Sequence, residues 1–78
     1  MNIAPQSKKL STGTVTEALP DTLFRVEFDQ SKEDGSKETV LAYLAGKMRM
    51  HRIRVLVGDH VELEQDQYGG KARITRRI

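Results

Sequence analysis

The chain contains no cysteine and no tryptophan. Without cysteine, neither a disulfide framework nor a Cys-based zinc site supplements a small core. Aromatic rings are few: Phe24, Phe28, Tyr43 and Tyr68. No run approaches the roughly 18 apolar residues of a membrane span, which excludes a helical membrane protein. Met1–Leu10 lacks the apolar stretch of a signal peptide and the Arg-rich amphipathic pattern of a transit sequence. These absences lead to the expectation of a soluble, cytoplasmic protein, and the missing cysteine agrees with a reducing compartment. Seventy-eight residues make one domain. A chain of that size buries only about 60% of its unfolded surface, so its core must be compact.

Acid is also missing where it matters. The segment Gly46–Arg54 holds Lys47, Arg49, Arg52 and Arg54 and no carboxylate, although the net charge of the whole chain is only +2. Of thirteen Lys and Arg, four lie in Lys47–Arg54 and four in Lys71–Ile78 (Lys71, Arg73, Arg76, Arg77). The eleven acids gather elsewhere, in Glu17–Glu38 and Asp59–Asp66. One charge run by itself is ordinarily a solvated face. Two cationic runs near one end of a small barrel point to a surface for phosphate, which net charge conceals.

The rest of the chain reads as short strands. Met1–Leu10 is polar and reads as a flexible arm, leaving residues 11–78 as the domain. Thr12–Leu19 is rich in β-branched residues, Pro20-Asp21 breaks it, and Leu23–Phe28 alternates cleanly, with Phe24, Val26 and Phe28 on one face. The first two strands are predicted to form a hairpin. Asp29–Glu38 carries no apolar residue and an Asp34-Gly35 turn signal, so it is expected as a ten-residue loop with a mobile tip. Thr39–Leu44 is the third strand. Met50, Ile53 and Val57 recur at helical spacing, so Lys47–Arg52 is expected to form one or two helical turns, too short to stand alone. Gly58-Asp59 turns into strand four (His60–Glu64), Tyr68-Gly69-Gly70 into strand five (Ala72–Arg76). The predicted fold is all-β: a five-stranded antiparallel barrel with a helical turn between strands three and four, the OB-fold arrangement.

No catalytic constellation presents itself. Ser7, Ser11, Ser31 and Ser36 lie in arm or loop sequence, and His51 and His60 lack the carboxylate pattern of a metal site. Gly46-Lys47 resembles a phosphate loop only superficially, because Leu41 and Met48 stand where glycine and Ser/Thr are needed. Glu62, Glu64 and Asp66 alternate with apolar residues as a solvent face. The expectation is a non-enzyme with no cofactor and no metal. Binding is the better reading: Arg and Lys supply phosphate contacts, and guanidinium planes with the rings of Tyr43 or His51 stack on splayed bases. Met48 and Met50 each read either as a plug for the open barrel end or as a ligand contact, and a helix sends them in different directions.

Three blocks then resemble bacterial translation initiation factor one: Leu19–Glu27, Gly46–Arg49 and Ile53–Val61, preceded by Gly13-Thr14-Val15. The likeness runs from about Gly13 to Ile78, and its force lies in the three blocks occurring in order at compatible spacing. It implies an OB-fold protein that binds the small ribosomal subunit at the aminoacyl-tRNA site through 16S rRNA. It further implies exclusion of tRNA from that site and cooperation with initiation factors two and three, without cofactor or catalysis, as a monomer off the ribosome. Carried over residue by residue, RNA contact is implied for Arg25, Lys47, Met48, Arg49, Arg54, Lys71, Arg73 and Arg77, with His51 and Arg52 in the same basic segment. Asp21 and Thr22 match the family's turn that approaches the RNA minor groove, and Tyr43 and Arg76 are further candidates.

The chain departs from this family in several places. Asp29–Glu38 is about six residues longer than the usual connection, as the resemblance implies, and its acids argue against RNA contact. Arg52 stands where many relatives carry an aromatic, Met50 replaces a frequent lysine, and Tyr43 a frequent histidine. Two other readings stay open at this point. One is a general single-stranded RNA-binding barrel, an RNA chaperone of the cold-shock type. The other is a protein-interaction barrel whose basic patches meet an acidic partner.

Overall fold

The computed structural model describes residues 9–65 and 70–78. Five strands close into a barrel in the order β1-β2-β3-β5-β4. They are β1 (Lys9–Leu19), β2 (Leu23–Ser31), β3 (Lys37–Leu44), β4 (His60–Gln65) and β5 (Ala72–Arg77). One short helix, α1 (Gly46–Met50), lies between β3 and β4, which is the OB-fold arrangement. All neighbouring strands are antiparallel except β3 and β5, which pair in parallel through Ala42↔Ala72, Tyr43↔Arg73 and Leu44↔Ile74. The expectation of a wholly antiparallel barrel is corrected there. Closure of an odd number of strands leaves one neighbouring pair running the same way.

Alternation of side chains delivers the core. Phe24, Val26 and Phe28 all bury, as their spacing predicts, and meet Val15, Ala42, Val61, Leu63, Ala72 and Ile74 inside. Gly13 sits where β1 is flanked on both sides, opposite Phe28 of β2 and Val61 of β4. An added Cβ there would lie 2.5 Å from the Glu27 carbonyl oxygen, so the position admits glycine alone.

Two boundaries differ from the sequence reading. β1 begins at Lys9, inside the segment expected as an arm, and the remainder of that segment lies outside the described residues. The predicted ten-residue loop is shorter: β2 runs on to Ser31 and β3 starts at Lys37, leaving residues 32–36. Polar side chains hid this extension, because ladder hydrogen bonds need no apolar residue when both faces of a ribbon are wet. Gly35 (φ 88°) makes the turn, and the Asp34 carboxylate accepts from the Ser36 backbone N–H and hydroxyl. The predicted Tyr68-Gly69 turn and Asp66 lie outside the described residues.

Pairing directions place the connections. The β1–β2 turn, the end of β3 with α1, the start of β4 and the end of β5 share one mouth of the barrel. The start of β1, the β2–β3 hairpin, the end of β4 and the start of β5 lie toward the other.

Candidate nucleic-acid interface

The basic connector is held over the first mouth by backbone and by apolar anchors, and its cations are left outside. At its start the Ala45 N–H donates to the Ile74 carbonyl (2.9 Å), fastening the entry of α1 to β5. At its far end the Gly58 N–H donates to Val15, and the Val15 N–H donates to Asp59. Between these ties Met48 (1% exposed) and Val55 (6%) fill the mouth. Full burial of such a side chain contributes about 1.5–3 kcal/mol. The family resemblance implies RNA contact for Met48; the residue is instead the stopper of the core. Met50 points outward at 76% exposure, so the two methionines do diverge.

The helix ends sooner than its apolar spacing predicts. The Ile53 N–H donates to Met48 and the Arg52 N–H to Arg49, which together form a Schellman stop. Ile53 and Val57 therefore lie beyond α1 and are exposed rather than continuing an inward face. The residue at the left-handed position of that stop is Arg52, with φ 53°. Glycine is the ordinary occupant, because a Cβ there costs about 1–2 kcal/mol.

Only two other described non-glycine residues have positive φ, Asp21 (64°) and Thr22 (57°). They form the β1–β2 turn at the same mouth, where the Thr22 hydroxyl donates to the Asp21 carbonyl. A β-branched residue in this conformation is rare. Backbone strain thus gathers on this mouth, and such strain clusters at functional surfaces.

The cations divide into two kinds. On the barrel wall each arginine is held by a carboxylate. Arg25 Nε donates to Glu17 (3.1 Å), Arg76 lies 2.9 Å from Glu62, Arg77 3.4 Å from Asp59, and Arg73 bonds Glu64. The Glu64 hydrogen bond and its charge hold the Arg73 guanidinium above its usual pKa, with a further contribution from Tyr43. Asp59 has a second task, accepting the Leu56 N–H at 2.8 Å. In the connector, by contrast, Lys47, Arg49, Arg52 and Arg54 are exposed, and none is bound to a carboxylate among the described residues. Unpaired cations beside one another repel, and a polyanion relieves that repulsion.

The sequence-predicted residues fall into two adjoining groups. Lys47, Arg49, His51, Arg52 and Arg54 ride on the connector, with Asp21 and Thr22 at the same mouth. Tyr43 and Arg73 are register partners on the outer wall, and Leu23 stands on Tyr43's other side. Arg25 stands opposite Leu41 one row further from the mouth, and Lys71 precedes β5 on that side of the barrel. Arg76 and Arg77 end β5 toward the mouth. Lys71 precedes β5 at about the level of Leu41 and Arg25, away from the connector, so the two basic runs do not form one compact cluster.

Among the described residues no three His, Asp or Glu side chains assemble as a metal site, and no helix is long and apolar enough to cross a membrane. Sequence reasoning missed the exposed apolar residues Leu56 (56%) and Val57 (59%), which flank the connector's cations. Their strand-like composition concealed that they stand in an irregular connection.

A family model described as translation initiation factor 1A / IF-1 matches residues 2–78. The chain is 50% identical over 66 residues to the translation initiation factor IF-1 of Rhodospirillum rubrum, an alignment covering 83% of this chain and 63% of that protein. The chain thus spans less than two thirds of that relative's length. The solution structure of translation initiation factor IF-1 from the Wolbachia endosymbiont of Brugia malayi superimposes with TM-score 0.67 at 31% identity, covering 91% of this chain and 78% of that one. YjeQ from Thermotoga maritima superimposes with TM-score 0.67 at 27% identity, over 90% of this chain and 23% of that one. With a family model matched over almost its whole length, this chain belongs to the translation initiation factor 1A / IF-1 family.

Proposed function

We propose that this protein is a non-catalytic translation initiation factor that binds the small ribosomal subunit through 16S rRNA. On this reading it occupies the aminoacyl-tRNA site, keeps tRNA out during initiation, and acts with initiation factors two and three. It works in the cytoplasm as a monomer when off the ribosome. The observation that carries the reading is the contrast between paired and unpaired cations. Four exposed positive side chains without a carboxylate partner among the described residues sit on one connector, and that connector is fixed to the barrel at both ends. Such a surface is preorganised for a phosphate backbone, and contacts of this kind release counterions. Family membership supports reading that RNA as ribosomal.

A cold-shock type of RNA chaperone is less well supported. It presents a row of aromatic rings for bases to stack on, whereas Phe24 and Phe28 are spent in the core at 8% and 9% exposure.

Co-sedimentation of the purified protein with small subunits across a salt series tests the proposal. Saturable binding that weakens with salt, and exceeds binding to an unstructured single-stranded RNA, is expected. Equal affinity for the two overturns the ribosomal assignment.

A further inference from the structure

Asp59 ends the connector at the mouth that carries it, where a carboxylate works against phosphate binding. Its bonds account for its place there. Asp59 Oδ2 accepts the Leu56 N–H at 2.8 Å, and Arg77 Nε lies 3.4 Å from the same oxygen. The Asp59 N–H donates to the Leu56 carbonyl (3.0 Å), which closes residues 56–59 into a four-residue turn. The Asp59 carbonyl in turn accepts the Val15 N–H (2.9 Å). One residue thus joins the connector to β1 through its backbone and to the last residue of β5 through its side chain.

These ties reach a cation at short range. Arg54 stands between two fastened amides. On one side the Ile53 N–H donates to the Met48 carbonyl (2.9 Å), and on the other the Leu56 N–H donates to Asp59. Val55, between Arg54 and Leu56, is buried at 6% exposure. Residues 53–56 lie in neither helix nor strand, so no ladder holds the Arg54 backbone, and these separate contacts do. Arg77, for which the family resemblance implies RNA contact, is instead drawn to the Asp59 carboxylate with its side chain half exposed.

We infer that Asp59 and Arg77 are positioning residues: they hold residues 54–56 in the form that presents Arg54 to RNA, and they do not touch the RNA themselves. A cation whose backbone is already fixed loses less freedom on binding, and the saving appears as affinity. Their role rests on the reading that the connector binds the small subunit's RNA, and it specifies how the connector does so. Charge makes the matter decidable. Removing an acid beside a polyanion strengthens attraction, whereas removing a positioning acid weakens binding.

The test uses the whole chain and purified small subunits, with affinity taken from co-sedimentation across a salt series. Asp59→Ala and Asp59→Asn change the net charge equally, but only asparagine keeps an oxygen for the Leu56 N–H. Asp59→Ala should bind about fivefold more weakly than Asp59→Asn. Exchange of its Leu56 amide should quicken about tenfold relative to the amides of β2. Arg77→Ala should leave the slope of log K against log salt unchanged, where loss of a phosphate contact lowers it by about 1. Arg77 is half exposed, so this variant keeps the test open where Asp59→Ala is too unstable to assay. An Asp59→Ala protein that binds as tightly as Asp59→Asn overturns the inference, as does unchanged Leu56 exchange or a fall of about 1 in the Arg77→Ala slope. Arg49→Ala, measured alongside, separates two failures. If it weakens binding while Asp59→Ala does not, the positioning role alone is wrong. If it binds as the parent does, the connector is not the interface and the positioning role falls with it.

Discussion

Met48 and Arg49 are consecutive residues of one helix with opposite roles: Met48 is 1% exposed inside the barrel mouth, and Arg49 stands in solvent without a carboxylate partner among the described residues. The helix provides the divergence, since successive side chains point about 100° apart on a 3.6-residue turn. Stability and binding should therefore separate at adjacent positions. Met48→Ala opens a cavity and should cost about 2–5 kcal/mol in denaturant unfolding. Arg49→Ala should leave the unfolding free energy within about 0.5 kcal/mol of the parent. It should lower affinity for small subunits and reduce the slope of log K against log salt by about 1. An Arg49→Ala protein that binds as tightly as the parent, with the same salt slope, removes the connector from the interface.

Arg52 makes a sharper case, because folding alone would choose another residue there. Its φ of 53° occupies the left-handed position of the helix stop, where glycine carries no Cβ penalty. Arg52→Gly should leave stability unchanged or raise it by about 0.5–1 kcal/mol, the relieved strain being partly offset by the freer unfolded chain. The same change should weaken small-subunit binding. Thermal unfolding and co-sedimentation on one preparation check both halves. A variant that loses stability contradicts the strain argument, and one that keeps full affinity leaves the arginine without a role.

Much of this was legible from residue pattern alone. Phe24, Val26 and Phe28 announce their strand by alternation, and Pro20-Asp21 and Asp34-Gly35 announce their turns. What pattern could not convey was which groups pair across the fold. Arg25, Arg73 and Arg77 look the same in sequence as Arg49 and Arg54, yet Glu17, Glu64 and Asp59 reach the first three. Those carboxylates are eight, nine and eighteen residues distant, so only strand register brings them near. The extension of β2 and β3 was invisible for a different reason. Wet ribbons carry no apolar period. Met48 reads in sequence either as a plug or as a ligand contact, because a motif position does not say whether a residue faces the ligand or the core, and only the fold buries it.

Gly13 illustrates the same limit and supports a prediction of its own. Nothing around Gly13 in sequence marks a turn, and the residue stands mid-strand, where glycine costs about 0.5–1 kcal/mol relative to alanine. The reason lies across the ladder, where an added Cβ would meet the Glu27 carbonyl oxygen at 2.5 Å and Val26 Cγ1 at 2.8 Å. A backbone oxygen cannot step aside as a flexible side chain does. Gly13→Ala should therefore destabilise, by about 1–3 kcal/mol, against the direction that strand propensity predicts. Chemical denaturation decides the sign. A more stable variant means that β1 and β2 approach less closely than described.

The outer face of β1 carries a pH-dependent contact. Asp29 on β2 accepts a hydrogen bond from Thr12 of β1 (2.6 Å) and lies against His60 of β4. The Thr12 hydrogen bond, and after it the His60 contact, hold the Asp29 carboxyl below its ordinary pKa. A carboxylate whose pKa is depressed by folding binds fewer protons folded than unfolded. Its stabilising contribution is complete above the unfolded value, about 4, and is lost as pH falls through the lower folded value. The side chain is 40% exposed, so solvent screening keeps the effect modest. Asp29→Asn should accordingly flatten the acid limb of the stability profile between neutral pH and the acid transition. Thr12→Val should move the Asp29 titration upward, toward the ordinary carboxylate range, as read from its carboxyl carbon by NMR. An Asp29 titration that does not move on Thr12→Val shows that the hydrogen bond is not the principal cause, and the three-strand contact then has no part in acid stability.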